Sequence, residues 1–143
     1  MRLAPVTLLP LALLSLPAAA DSCYVTAASA GSVPPPVITE QCFEFVGMKD
    51  KQALDWACRD VDNVRIARRN ERERCPAGYF ATCTAGVTPE TLTSARATGS
   101  QGTTDLFDGQ VPEHAKIVSY YYEASDRSQA KVDCESAGGE WGR

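Results

Sequence analysis

Six cysteines, Cys23, Cys42, Cys58, Cys75, Cys83 and Cys134, are spread through a chain of 143 residues. An even count in so short a chain, behind an export-type leader, reads as a disulfide framework. The metal alternative is weak. No two cysteines have the Cys-x-x-Cys spacing and His114 is the single histidine. The chain therefore carries neither a closely spaced zinc set nor a thioredoxin-like redox pair, and no residue is assigned to a metal or a cofactor. Pairing is left open by sequence alone. The preferred set is Cys42 with Cys58, Cys75 with Cys83, and Cys23 with Cys134. The first ties a strand to the helix after it, the second closes a loop around Pro76, Gly78 and Tyr79, and the third pins the two ends together. Closing a loop of about fifteen residues contributes roughly 3 kcal/mol, which matters where a single small core is marginal.

The first twenty residues form the leader. Arg2 gives a short positive start, Leu3 to Leu16 is almost wholly apolar and uncharged, and Ala18 and Ala20 put small residues before Asp21. This is the three-part pattern of a secretory signal. The run holds Pro5, Pro10 and Pro17 and falls short of the roughly 20 apolar residues a membrane-spanning helix needs. Asp21 and Ser22 directly before Cys23 fit a lipid-attachment site poorly. The expectation is a signal peptide over 1–20 and a soluble mature chain, periplasmic or secreted, with no transmembrane segment. Loss of Arg2 takes the formal charge from −4 to −5, which argues against a nucleic-acid partner.

Within the mature chain, residues 21–40 read as an extended, polyproline-like lead-in, because Pro34 to Pro36 are consecutive and charge is scarce. Residues 41–143 read as one disulfide-rich α+β domain. Its expected core is a small antiparallel sheet from segments near 42–46, 78–83 and 116–124, with two helices, near 50–62 and 126–137, packed on one face. Phe43 and Phe45 alternate as on a strand. Ala53, Leu54, Ala57, Cys58 and Val61 recur at helical spacing. In the second helix Ala130, Cys134 and Ala137 form the stripe, Asp126 with Gln129 resembles a capping box, and Gly138-Gly139 reads as the stop. Thr88 and Pro89 suggest a short helix, residues near 96–110 a flexible loop, and Glu140-Trp141 a last short strand.

A weak internal echo accompanies this order. Phe43 to Ala53 can be laid on Tyr120 to Ala130 without a gap, setting Phe43 on Tyr120, Phe45 on Tyr122 and Gln52-Ala53 on Gln129-Ala130. Cys58 and Cys134 are then out of step by one. The echo reads as two similar strand–turn–helix units, without a claim of duplication.

Chemistry is harder to find. Nucleophilic catalysis needs a nucleophile, a base and an orienting group, and His114, just before a strong strand, reads as a strand-entry residue. No Gly-x-Ser-x-Gly elbow, phosphate-cradling loop or His-Glu-x-x-His is written. Glu113, Glu123 and Asp126 offer carboxylates, as any acidic chain does. No catalytic residue is assigned. Two features suit recognition instead. Arg65, Arg68, Arg69 and Arg72 are spaced i, i+3, i+4, i+7, so on a helix they make one basic stripe, suited to an anionic envelope component or an acidic protein surface. On the 116–124 strand, Tyr120 and Tyr122 are expected to face the core, which leaves Tyr121 outward as a candidate contact. The function expected is a small exported binding or interaction protein of the bacterial cell envelope. The alternative is a small exported enzyme with a carboxylate-based hydrolytic site.

Overall fold

The computed structural model describes residues 21–28, 34, 36–48, 51–59, 66–88 and 110–143. It contains strands β1 (Ser22–Ala28), β2 (Ile38–Val46), β3 (Ile66–Arg72), β4 (Ala81–Gly86), β5 (Lys116–Ala124) and β6 (Glu140–Gly142). Two helices are described, α1 (Gln52–Cys58) and α2 (Arg127–Ser136). The strands form one six-stranded sheet in the order β3-β1-β2-β5-β4-β6. All of its pairings are antiparallel. The chain is thus α+β and disulfide-stapled, with more sheet than the sequence suggested.

Several expectations change. The lead-in drawn over 21–40 contains β1, and the boundary drawn at residue 41 runs through β2. β1 is a buried-and-exposed alternation, with Cys23 and Val25 buried and Thr26 exposed. The helix expected over 50–62 is the shorter α1, and residues 60–65 lie outside the described part. The strand expected at 78–83 is shifted to Ala81–Gly86. The short helix from Pro89 and, but for residue 110, the loop near 96–110 also lie outside the described residues. The strand over 116–124 is found at Lys116–Ala124.

α2 shows why its boundaries were readable. The Asp126 carboxylate accepts from the backbone N–H groups of Ser128 and Gln129 at 2.9 and 3.0 Å, satisfying two of the free donors at the helix start. Gln129 does not close a reciprocal box. Its amide instead donates to Asp133 at 3.0 Å. At the other end Gly138 has φ +81°. Gly139 N–H bonds Cys134 O at 2.9 Å and Gly138 N–H bonds Glu135 O at 3.1 Å, the two bonds of a Schellman stop.

None of the three preferred disulfide pairings is present. The bonds are Cys23–Cys58, Cys42–Cys75 and Cys83–Cys134. The register explains this set. Glu71, Cys23, Phe43, Ser119, Cys83 and Trp141 stand opposite one another in one row across the sheet. Directly opposed residues project from the same face, so the cystines to α1 and to α2 leave from one row. Cys42, next to Phe43, projects the other way and takes a different partner.

This row also reveals a symmetry. β1-β2-α1-β3 places β3 and β2 on either side of β1, and β4-β5-α2-β6 places β6 and β5 on either side of β4. Each unit bonds its first strand to its helix by a cystine. The seam is β2 against β5, where Phe43 opposes Ser119. Equivalent residues are therefore Phe43 with Ser119 and Cys58 with Cys134, a constant offset of 76 (119 less 43, 134 less 58). The echo is real as a pair of like units, but its register is one residue from the one first read. In the corrected register Asp50 falls on Asp126, Lys51 on Arg127, and Leu54 on Ala130.

The buried core lies on the side of this row. Phe43 is fully buried among Cys23, Val25, Ala53, Leu54, Ala57, Cys58 and Ile117. Ala81, Cys83, Tyr121 and Cys134 form the second cluster, with Phe80 and Trp141 packed on it. Gly139 sits hard against the second cystine. A Cβ there would lie 2.6 Å from Cys83 Sγ and 2.9 Å from Cys134 Sγ. Gly139→Ala is expected to lower stability by about 1–3 kcal/mol, the usual cost of overpacking, or to leave the Cys83–Cys134 bond incompletely formed. Thermal denaturation with thiol counting checks this, and an unchanged melting temperature with no free thiol contradicts the packing.

Candidate functional site: the strapped tyrosine face

The opposite face of the sheet is built by a short connection. Residues 73–80 leave β3 at one edge and enter β4 four strand positions away, passing β1, β2 and β5. At about 4.8 Å per strand this crossing covers roughly 19 Å. The strap crosses on the side of Cys42, because Cys75 bonds it there. Glu44 on β2 accepts the Cys75 backbone N–H at 2.7 Å, and Tyr122 donates its hydroxyl to Pro76 O at 2.6 Å. Four tyrosines gather under and along the strap. Tyr79, on the strap, packs edge-on against Tyr120 and Tyr122 with ring centroids 4.9 and 6.5 Å apart. Tyr24 of β1 leans on Tyr122 at 5.3 Å.

Three of their hydroxyls are tied inward. Tyr24 donates to Glu40 and Tyr120 donates to Glu44. Burial, with the neighbouring Glu40 carboxylate, pushes Tyr24 up to about 12, and burial also pushes Tyr122 up to about 12, aided by Tyr24 and Glu44. Tyr120 is raised by burial and by Glu44. Tyr79 stands apart, 41 % exposed.

The sequence had the faces of β5 reversed. Tyr121 is buried at 5 % exposure, between Phe80 and Trp141, and burial pushes its phenol up to about 12. It is not available as a contact. Tyr120 and Tyr122 are the half-buried residues of the strap face. The alternation itself was right. Ser119, which shares the face of Tyr121, is buried at 3 %.

The arginine stripe is also corrected. Arg68, Arg69 and Arg72 lie on β3, a strand, so the helical spacing does not gather them. A period of two sends Arg68 and Arg72 to one face and Arg69 to the other. Arg69 is buried at 8 %, in a row with Val25, Gln41, Tyr121 and Ala81. Arg68 and Arg72 are exposed on the tyrosine side, and the Arg72 guanidinium lies 4.5 Å from the Tyr24 ring centre, a cation–π distance. Arg65 lies outside the described residues.

Of the carboxylates, Asp126 is spent as the cap of α2, Glu113 and Glu123 are exposed, and His114 is exposed in the turn before β5. Glu40 and Glu44, which matter most here, were missed. Their signal was the alternation Glu40, Cys42, Glu44 opposite Tyr24 in the paired strand, legible only once β1 is known to be a strand. Among the described residues no group of three or more His, Cys, Asp or Glu is placed to hold a metal ion, and no helix is long and apolar enough to cross a membrane.

The raised phenols give a pH test. The unfolded chain loses these protons first as pH rises past 10, so the stability they report is present below 10 and lost between about 10 and 12. At about pH 11, tyrosinate absorbance of the folded protein should fall well short of five ionised tyrosines and reach five on unfolding. Full ionisation with the fold intact contradicts the packing described. No protein-family model, curated protein or solved structure matches the chain, so its own residues carry the functional argument.

Proposed function

We propose that this small protein, stabilised by three disulfides of the kind found where thiols are oxidised, is exported and acts by binding, as an interaction module of the bacterial cell envelope that presents the strapped face to a protein partner. In this reading both helices cover the face of the cystine row, which leaves the strap face for contact. The signal-like pattern over 1–20 supports export. So does β1, which starts at Ser22, just beyond Ala20, with Asp21 N–H already bonded to Arg72 O at 2.9 Å.

The observation that carries the binding reading is Tyr79. The solvated face of an antiparallel sheet is ordinarily polar, yet here an exposed tyrosine packs edge-on over Tyr120 and Tyr122, and farther along the same face Arg72 stacks on Tyr24. Tyrosine and arginine are the side chains that most often dominate protein contacts, and a rigid aromatic loses little entropy on binding. The carboxylates that an enzyme would need on this face, Glu40 and Glu44, are engaged by Tyr24, Tyr120 and the strap backbone, which favours binding over hydrolysis.

The oxidised protein, immobilised and exposed to envelope extract, should retain a discrete partner saturably. Tyr79→Ala should weaken that capture by about tenfold or more while the melting temperature stays within a few degrees. Equal capture by Tyr79→Ala removes the tyrosine face from the account.

A further inference from the structure

The sheet has two edges, and they differ in kind. β6 is three residues long and contains Gly142. Shortness of this sort is a standard way of closing an edge to other strands. β3 is seven residues long, holds no proline, and has β1 as its one strand neighbour among the described strands. Alternate N–H and C=O groups of such a strand point away from the sheet, toward a position where another strand fits. Its register with β1 is unbroken from Ala28–Ile66 to Ser22–Arg72, so the edge is regular along its length.

The geometry points to strand addition at β3 by an extended acidic segment of a partner protein. Arg68 and Arg72 project to the same face of this edge and both are exposed. Four residues of strand separate them by about 13 Å. An antiparallel strand added there sets its own residues opposite them at positions i and i+4, on one face. Opposite charges at directly opposed positions stabilise a sheet and like charges oppose it. The fitting segment therefore carries Asp or Glu at i and i+4, with a polar residue between them opposite Asn70. The same arginines select against a second copy of this chain. Pairing of two β3 strands about Asn70 sets Arg68 against Arg72 of the other copy. Main-chain bonding of this kind supplies affinity, and the side-chain positions supply choice of partner. This edge borders the tyrosine face and shares Arg72 with it, but strand addition does not require Tyr79 or the strap.

The test uses the full oxidised protein, isotope-labelled, and three synthetic eight-residue peptides on a threonine- and valine-rich host. One has glutamate at two positions four apart, one has lysine at both, and one has glutamates three apart, which splits them between faces. The expected result is binding of the first peptide only, weakening with salt, with amide shifts and new exchange protection confined to residues 66–72. Arg68→Glu/Arg72→Glu should lose the first peptide by tenfold or more and gain the second, a charge-reversal rescue that misfolding cannot imitate. Arg68→Gln/Arg72→Gln should bind the two glutamate peptides alike. Binding of all three peptides alike, shifts centred on the strap, self-association through β3, or no binding at all would each overturn the proposal. The last would leave the arginines as guards of the edge only.

Discussion

A single row of opposed residues, Cys23, Phe43, Ser119 and Cys83, fixes how the rest of this structure is arranged. Its centre is the pairing of β2 with β5, where the two ββαβ units meet. Its outer members are the half-cystines that hold α1 and α2. Because the period of a strand is two, a slip of one residue at the seam would put the two cystines on opposite faces of the sheet. Each bond closes a long loop, with sequence separations of 35 and 51. Closing loops of that size contributes about 4 kcal/mol apiece in the chain-entropy account. That is large against the whole stability of a small domain.

The third cystine does a different job. Cys42 is the neighbour of Phe43 and so faces away from the core row, and its partner lies on the strap. In the register that relates the two units, Cys42 falls on Val118, so this bond has no counterpart in the second half. It breaks the symmetry and anchors the strap over a tyrosine cluster drawn from β1 and β5, with Glu44 bonded to both strap and cluster. The chain thus uses one face for stability and differentiates the other. The binding reading proposed here rests on that difference.

Much of this was legible locally. The strand over 116–124, the cap at Asp126 and the glycine stop at 138–139 are encoded within a few residues of where they act, and the structure has them there. What failed was non-local. Ser22–Ala28 reads as a lead-in because the prolines that follow dominate its composition, yet its alternation of Cys23 and Val25 with Tyr24 and Thr26 is that of a strand. The arginines of β3 match helical spacing by coincidence, and an edge strand carries no apolar alternation strong enough to contradict it. The alternation of β5 does not by itself say which of its two faces is buried. A tyrosine needs somewhere to place its hydroxyl, and the strap face supplies Glu44 and Pro76 O for this purpose. The internal echo held the correction within it, since aligning the two cysteines rather than the aromatic residues gives the true register. The candidate site was the least legible part, because Tyr24, Glu44 and the pair Cys75 and Tyr79 come from three separate segments.

The connectivity of the cystines tests the central claim most directly. Proteolysis of the unreduced protein, followed by mass spectrometry of the linked peptides, should yield Cys23 joined to Cys58, Cys83 joined to Cys134, and Cys42 joined to Cys75. A linkage of Cys42 to Cys58 would place α1 on the strap face, and one of Cys23 to Cys134 would join the two units through a bond that the row forbids. Either result would contradict the arrangement of two like units with a strap across the opposite face.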